Sequence, residues 1–137
     1  MAGIVITGAA SGGQINPAVS VGMAACGRLP LNKLPAYLLG QYLGALLGAL
    51  LVVLLYCGSG ESTMAMASYP GLATWMLPQV VDQLICTCLL VLGITAVVDQ
   101  GQQPAPLLVG LIVTVISLGL GLNAGAAMNP AVDFVPR

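Results

Sequence analysis

Residues 11–19 read SGGQINPAV and residues 124–132 read AGAAMNPAV. Each stretch carries Asn-Pro-Ala-Val behind a glycine-bearing loop, at Asn16-Pro17-Ala18-Val19 and again at Asn129-Pro130-Ala131-Val132. Asn is among the most favoured helix N-caps, and Pro suits the first helical position, where its missing N–H has no partner to lose. Each pair therefore predicts a helix start. A capping Asn offers its carboxamide oxygen to the free N–H groups of the helix it opens, and its NH₂ remains as a donor aimed away from that helix. That donor sits at the positive end of the helix dipole. An Asp would lack it, and a Ser would offer a shorter, rotating one. One copy is an ordinary helix start. Two copies in matching context, near opposite ends of the chain, predict a paired site.

The surroundings are apolar. Of 137 residues 58% are hydrophobic and 5% charged, against about 25% charged in a soluble domain, so the chain lacks the polar surface to face water and is placed in a membrane. A net charge of −1 with three basic residues excludes a nucleic-acid footprint. The sequence has no histidine, and Cys86 and Cys88, two apart, point in different directions on a helix. The cysteines Cys26, Cys57, Cys86 and Cys88 are read as small apolar residues, and neither metal nor cofactor is expected.

Taken in order, residues 2–10 are apolar but too few to cross a hydrocarbon core, which takes about 20; they read as the end of a span. Gly12 and Gly13 mark the loop, and the helix opened by Pro17 runs to about Gly27, a rise of roughly 16 Å. That is half a membrane, so this helix is re-entrant, and residues 2–27 hold the end of a span plus the first half-helix. Arg28 and Lys33 lie in the polar connection that follows. Spanning helices are predicted over 34–56, 77–98 and 105–122, and a second half-helix starts over 130–137. Gly40, Gly44 and Gly48 recur every four residues on the first of these spans, a stripe that lets membrane helices approach closely, with Gln41 beside it expected to hydrogen-bond inside the bundle.

Parity then sets the architecture. The first half-helix returns to the side its loop entered from, and three crossings follow, so the second loop enters from the opposite side. The units are related by inversion, and their helices meet end to end near the midplane. The basic residues Arg28 and Lys33 put the first loop's entry on the cytoplasmic side. Irregular backbone at that depth is tolerated where it lines a cavity. Carbonyl acceptors along one wall, two Asn donors at the centre and aliphatic side chains opposite would suit water or a small polyol. Two positive helix ends disfavour cations and make a central water accept rather than relay a proton. Nothing here needs to react; an enzyme is not expected.

At these residues the sequence resembles the aquaporin (major intrinsic protein) family, and more narrowly its glycerol-conducting branch, the aquaglyceroporins. SGGQINPAVS followed by GRLPLNKLPAYLLGQYLGALLGA is similar to the family's first loop and third helix. MASYP (66–70) resembles a connecting-loop signature of that branch, VVDQ (80–83) a fourth-helix acid region, and GLGLNAGAAMNPAVDFVPR the second loop. The resemblance implies an all-α membrane protein, an inverted repeat with two re-entrant half-helices. Set against the family's six spanning helices, residues 1–137 lack the first and sixth, and read as a single, partial channel domain.

By the same resemblance the pore-lining motifs are Asn16, Pro17, Ala18 and Asn129, Pro130, Ala131. Ser117, Ala126 and Val132 fall at selectivity-filter positions, and Asp133 is similar to the aspartate that marks glycerol channels. Asp82 is implied to be a buried carboxylate bracing a loop. Gln14 stands where the family commonly has His, and Val132 stands where it has an arginine at the outer constriction, which implies a broad, weakly selective filter, with Arg137 a poor substitute. The resemblance further implies water, glycerol and similar small neutral solutes as cargo, a homotetramer in the lipid bilayer, and residence in the plasma membrane. Three other readings stand beside passive conduction: a truncated, non-conducting relative of such channels; an ion-coupled carrier, for which Asp82 is the single intramembrane charge; and an enzyme.

Overall fold

The computed structural model describes residues 1–56 and 75–135. These form helices α1 (Ala2–Ser11), α2 (Pro17–Ala25), α3 (Leu34–Leu55), α4 (Met76–Asp99), α5 (Ala105–Ala124) and α6 (Pro130–Phe134), with no strand among the described residues. The MASYP signature, Cys57 and Arg137 lie outside them. α3, α4 and α5 have 22, 24 and 20 residues and are each long and apolar enough to cross a membrane. α2 has only nine residues and α6 five, so both are too short to cross.

Local chemistry sets these limits. α2 and α6 each open on a capping Asn followed by Pro. α1 and α5 end on glycines in the left-handed region, Gly12 at φ 70° and Gly125 at φ 79°, where a side chain would clash. The chain leaves both helices sharply and turns back into the bundle.

The interior is a small apolar cluster. Val19, Met23 and Leu29 of the first unit pack with Cys86 and Leu90 of α4, Ile116 of α5, and Ala126 and Met128 of the second loop. α2 nests against α4 because Gly22 has no side chain: a Cβ there would fall 2.8 Å and 2.9 Å from the two methyls of Val91. Gly22→Ala is therefore expected to push α2 off α4 and destabilise the fold by about 1–3 kcal/mol, read as a lower melting temperature in detergent.

Elsewhere the long helices turn leucines outward, among them Leu47, Leu54, Leu84, Leu92 and Leu118, all more than 40% exposed. In water that surface would be a liability; in a bilayer it is the solvated face. The stripe of Gly40, Gly44 and Gly48 also faces outward, with nothing within 4 Å of a Cβ built at any of them, so among the described residues it is not a packing seam. Gln41, beside the stripe, does turn inward and hydrogen-bonds within the bundle, as expected. Cys86 is fully buried whereas Cys88 is exposed, which separates the two thiols.

One tertiary contact bears directly on parity. Arg28, just beyond α2, donates from Nη2 to Oδ2 of Asp99, the last residue of α4, at 2.6 Å, and its Nη1 pairs with the other carboxylate oxygen. The first half-helix thus ends on the same side as the second full crossing. α5 starts from that side, and the second loop is reached from the other.

Candidate functional site

The two capping asparagines are joined across the molecule. Asn16 has an extended backbone (φ −144°, ψ 118°) and its Oδ1 accepts from Ala18 N at 2.9 Å. Asn129 repeats this at φ −130°, ψ 98°, with Oδ1 accepting from Ala131 N at 3.2 Å. Each amide then reaches into the opposite loop: Asn16 Nδ2 donates to Met128 O at 2.8 Å, and Asn129 Nδ2 donates to Ile15 O at 3.1 Å. Met128 and Ile15 are the residues preceding the two asparagines, so the pair of bonds has the symmetry of the inverted units. By sequence, the NH₂ of each amide, with its two N–H groups, remains as a donor aimed away from its own helix. The tertiary structure commits one of them to the other loop, and the second N–H takes no part in these bonds.

The loops beneath the caps are braced by carboxamides. In the first, Gln41 Nε2 donates to Gln14 O and to Ser20 Oγ, both at 2.8 Å, and Tyr37 Oη donates to Ser11 O at 3.1 Å. In the second, Gln83 Nε2 donates to Ala124 O at 2.8 Å while its Oε1 accepts from Met128 N at 3.1 Å. Met128 is thereby clamped at both backbone groups, by Gln83 at N and by Asn16 at O. That matters because Met128 (φ 45°) and Ala126 (φ 46°) occupy the left-handed region without being glycine. Such a conformation costs about 1–3 kcal/mol and persists only where surrounding bonds over-determine it.

Among the described residues no hydrogen bond joins Asp82 to the second loop: its Oδ2 is buried without a partner there, and the bonds to that loop come from its neighbour Gln83. The chemistry explains the exchange: the second loop presents a carbonyl and an N–H together, and a carboxylate can only accept whereas a carboxamide does both. The sequence signal was present, since a Gln inside an apolar span is itself a polar group in need of partners.

Both loops and both asparagines border one cavity of about 840 Å³, lined also by Gln14, Ser117, Ala126 and aliphatic residues such as Leu90 and Ile94. Of the residues singled out from sequence, Asn16, Asn129, Ser117 and Ala126 meet here. The rest of the two motifs does not. Pro17, Ala18 and Pro130 line an apolar groove on the far side of the caps, and Ala131 is 2% exposed and packed away. A helix turns about 100° per residue, so residues following a lumen-facing cap rotate out of the lumen. Val132 is 55% exposed and is not among the residues that line this cavity. Asp133 sits in the first turn of α6, where a negative charge complements the helix dipole.

An apolar helical bundle with two inverted, asparagine-capped half-helices bordering a single cavity defines an integral membrane protein of the broken-helix, inverted-repeat class. The chain belongs to the major intrinsic protein family, whose model matches residues 1–137. It is 37% identical over 153 residues to aquaporin-9 of Homo sapiens, covering 98% of this chain and 52% of that protein. It is 36% identical over 155 residues to aquaporin-10 of Milnesium tardigradum, covering 98% of this chain and 38% of that one. Among solved structures, the aquaglyceroporin from Plasmodium falciparum superposes with a TM-score of 0.88 at 32% identity, over 98% of this chain and 60% of that one. The chain therefore spans about half the length, or less, of these curated relatives.

Proposed function

We propose that residues 1–137 form a single, partial channel domain of a protein that conducts water, glycerol and similar small neutral solutes passively. The observation that carries this is the cross-bonded pair of caps on the wall of one cavity. Each Asn is locked at its oxygen and at one N–H, which fixes the direction of the remaining donor. A solute hydroxyl passing the caps finds a preoriented donor, and its carbon skeleton rests on Leu90 and Ile94. Solute contact is then made without reorganisation, so passage can be fast. The positive ends of α2 and α6 repel cations at the same point. Kinship with aquaporin-9 and with a solved aquaglyceroporin supports glycerol as a solute, and Asp133 is read as the marker of that branch. The same reading places the protein in the plasma membrane as a homotetramer, with the first loop entering from the cytoplasm.

Stopped-flow swelling of proteoliposomes containing the full-length polypeptide in a glycerol gradient tests this directly. Glycerol entry well above that of empty vesicles supports conduction; entry equal to empty vesicles would favour the non-conducting relative instead. Within a conducting protein, Ser117→Phe puts a ring into the cavity and is expected to lower glycerol flux by about three- to tenfold while reducing water less, because the larger solute loses more of its clearance. Equal reductions for both would remove Ser117 from the pathway.

A further inference from the structure

The cavity has a charged mouth. Besides the asparagines and aliphatic residues, its lining includes Arg28, at the same end as Val98 of α4 and Ala105 of α5. Arg28 is held there from two directions. Its backbone N–H donates to Met23 O at 2.8 Å, and the next residue, Leu29, is 5% exposed and donates to the same carbonyl at 3.2 Å. Its guanidinium forks onto both oxygens of Asp99, the bidentate geometry that fixes orientation as well as distance. The two side chains are 34% and 50% exposed, so the pair faces water; Arg28 borders the lumen, and Asp99 holds it from just outside the lining.

We propose that Arg28 and Asp99 form an electroneutral collar that sets the charge selectivity of this mouth, an inference that rests on the channel reading above. A guanidinium alone would draw anions to the opening, and a carboxylate alone would draw cations. Paired, they cancel at distances beyond a few ångströms, and the guanidinium N–H groups not engaged by the carboxylate remain as donors for an arriving hydroxyl. The collar thus favours uncharged, hydroxyl-bearing solutes before they reach the central asparagines. It also puts a fixed guanidinium at the mouth marked by Arg28, whereas Val132, near the second loop, is aliphatic. The nearest other basic residue in the connection, Lys33, is exposed and not part of the lining.

The test uses the full-length polypeptide in proteoliposomes at low ionic strength, with glycerol flux as the signal. Millimolar guanidinium or methanesulfonate is the probe, and each variant is normalised to its own unblocked flux. Arg28→Gln leaves a bare carboxylate and is expected to lower the half-blocking concentration of guanidinium by about three- to tenfold, with methanesulfonate unaffected. Asp99→Asn leaves a bare guanidinium and should do the reverse. The double variant, neutral again, should respond to neither ion. A purely structural tie would change total flux in all three without opposite responses to the two ions, and that result overturns the proposal. If the single variants fail to insert, the exchanged pair Arg28→Asp with Asp99→Arg, which keeps the bridge, decides it: wild-type insensitivity to both ions supports the collar, and sensitivity to either one overturns it. A wild type that passes no glycerol overturns the channel reading and the collar with it, whereas a conducting wild type whose single variants show no opposite-sign block overturns the collar alone.

Discussion

Asn16→Leu is expected to destabilise the fold by about 3–5 kcal/mol and to abolish solute flux. Three losses add up. The cap on α2 goes, which costs about 1 kcal/mol. Met128 O loses its donor, leaving a buried carbonyl unsatisfied at about 1–3 kcal/mol. Met128, at φ 45°, also loses one of the two bonds that hold it in the left-handed region, so the second loop is free to relax. The informative companion is Asn16→Asp. It keeps an oxygen for Ala18 N but has no N–H for Met128 O, and places two acceptors against each other. If capping alone mattered, Asn16→Asp would melt like the wild type. The geometry predicts that it melts almost as low as Asn16→Leu, although the first half-helix is still capped. Thermal unfolding in detergent, followed by circular dichroism, separates these outcomes.

The second large effect is expected at Gln83. Gln83→Leu strips the partner from Met128 N and from Ala124 O, both on residues less than 10% exposed, for a cost of about 2–5 kcal/mol. Gln83→Glu, which keeps the acceptor but loses the donor to Ala124 O, should fall between. Asp82→Asn, by contrast, should change stability by less than about 1 kcal/mol, since its buried Oδ2 has no hydrogen-bond partner among the described residues. A large loss at Asp82 with little change at Gln83 would reverse the assignment of the loop brace. The two positions are adjacent in sequence, so the comparison is made within one turn of one helix.

The difference between these neighbours shows where sequence reasoning ran out. Hydropathy and length marked the three long helices, because a bilayer demands a long uncharged run whatever the fold around it. Asn followed by Pro marked the starts of α2 and α6, because capping is a local affair of a few residues. Counting crossings then inverted the second unit relative to the first, which needs no coordinates at all. What a side chain does after its local duties depends on atoms far away in the chain. Asn16 and Met128 are 112 residues apart, and Gln83 and Met128 are 45 apart. No spacing rule links them.

The amino-acid sequence by itself therefore determined that this is a helical membrane protein with two opposed, asparagine-capped half-helices, since composition, caps and parity are properties of short stretches and their order. Tertiary structure alone decided that each cap amide bonds the other loop, that Gln83 bonds the second loop at two points, that Pro17, Pro130 and Val132 lie outside the cavity lining, and that Arg28 borders it. Those are questions of which donor meets which acceptor once helices pack, and a buried backbone carbonyl and N–H in one loop can be satisfied together only by a group that both gives and takes a hydrogen bond.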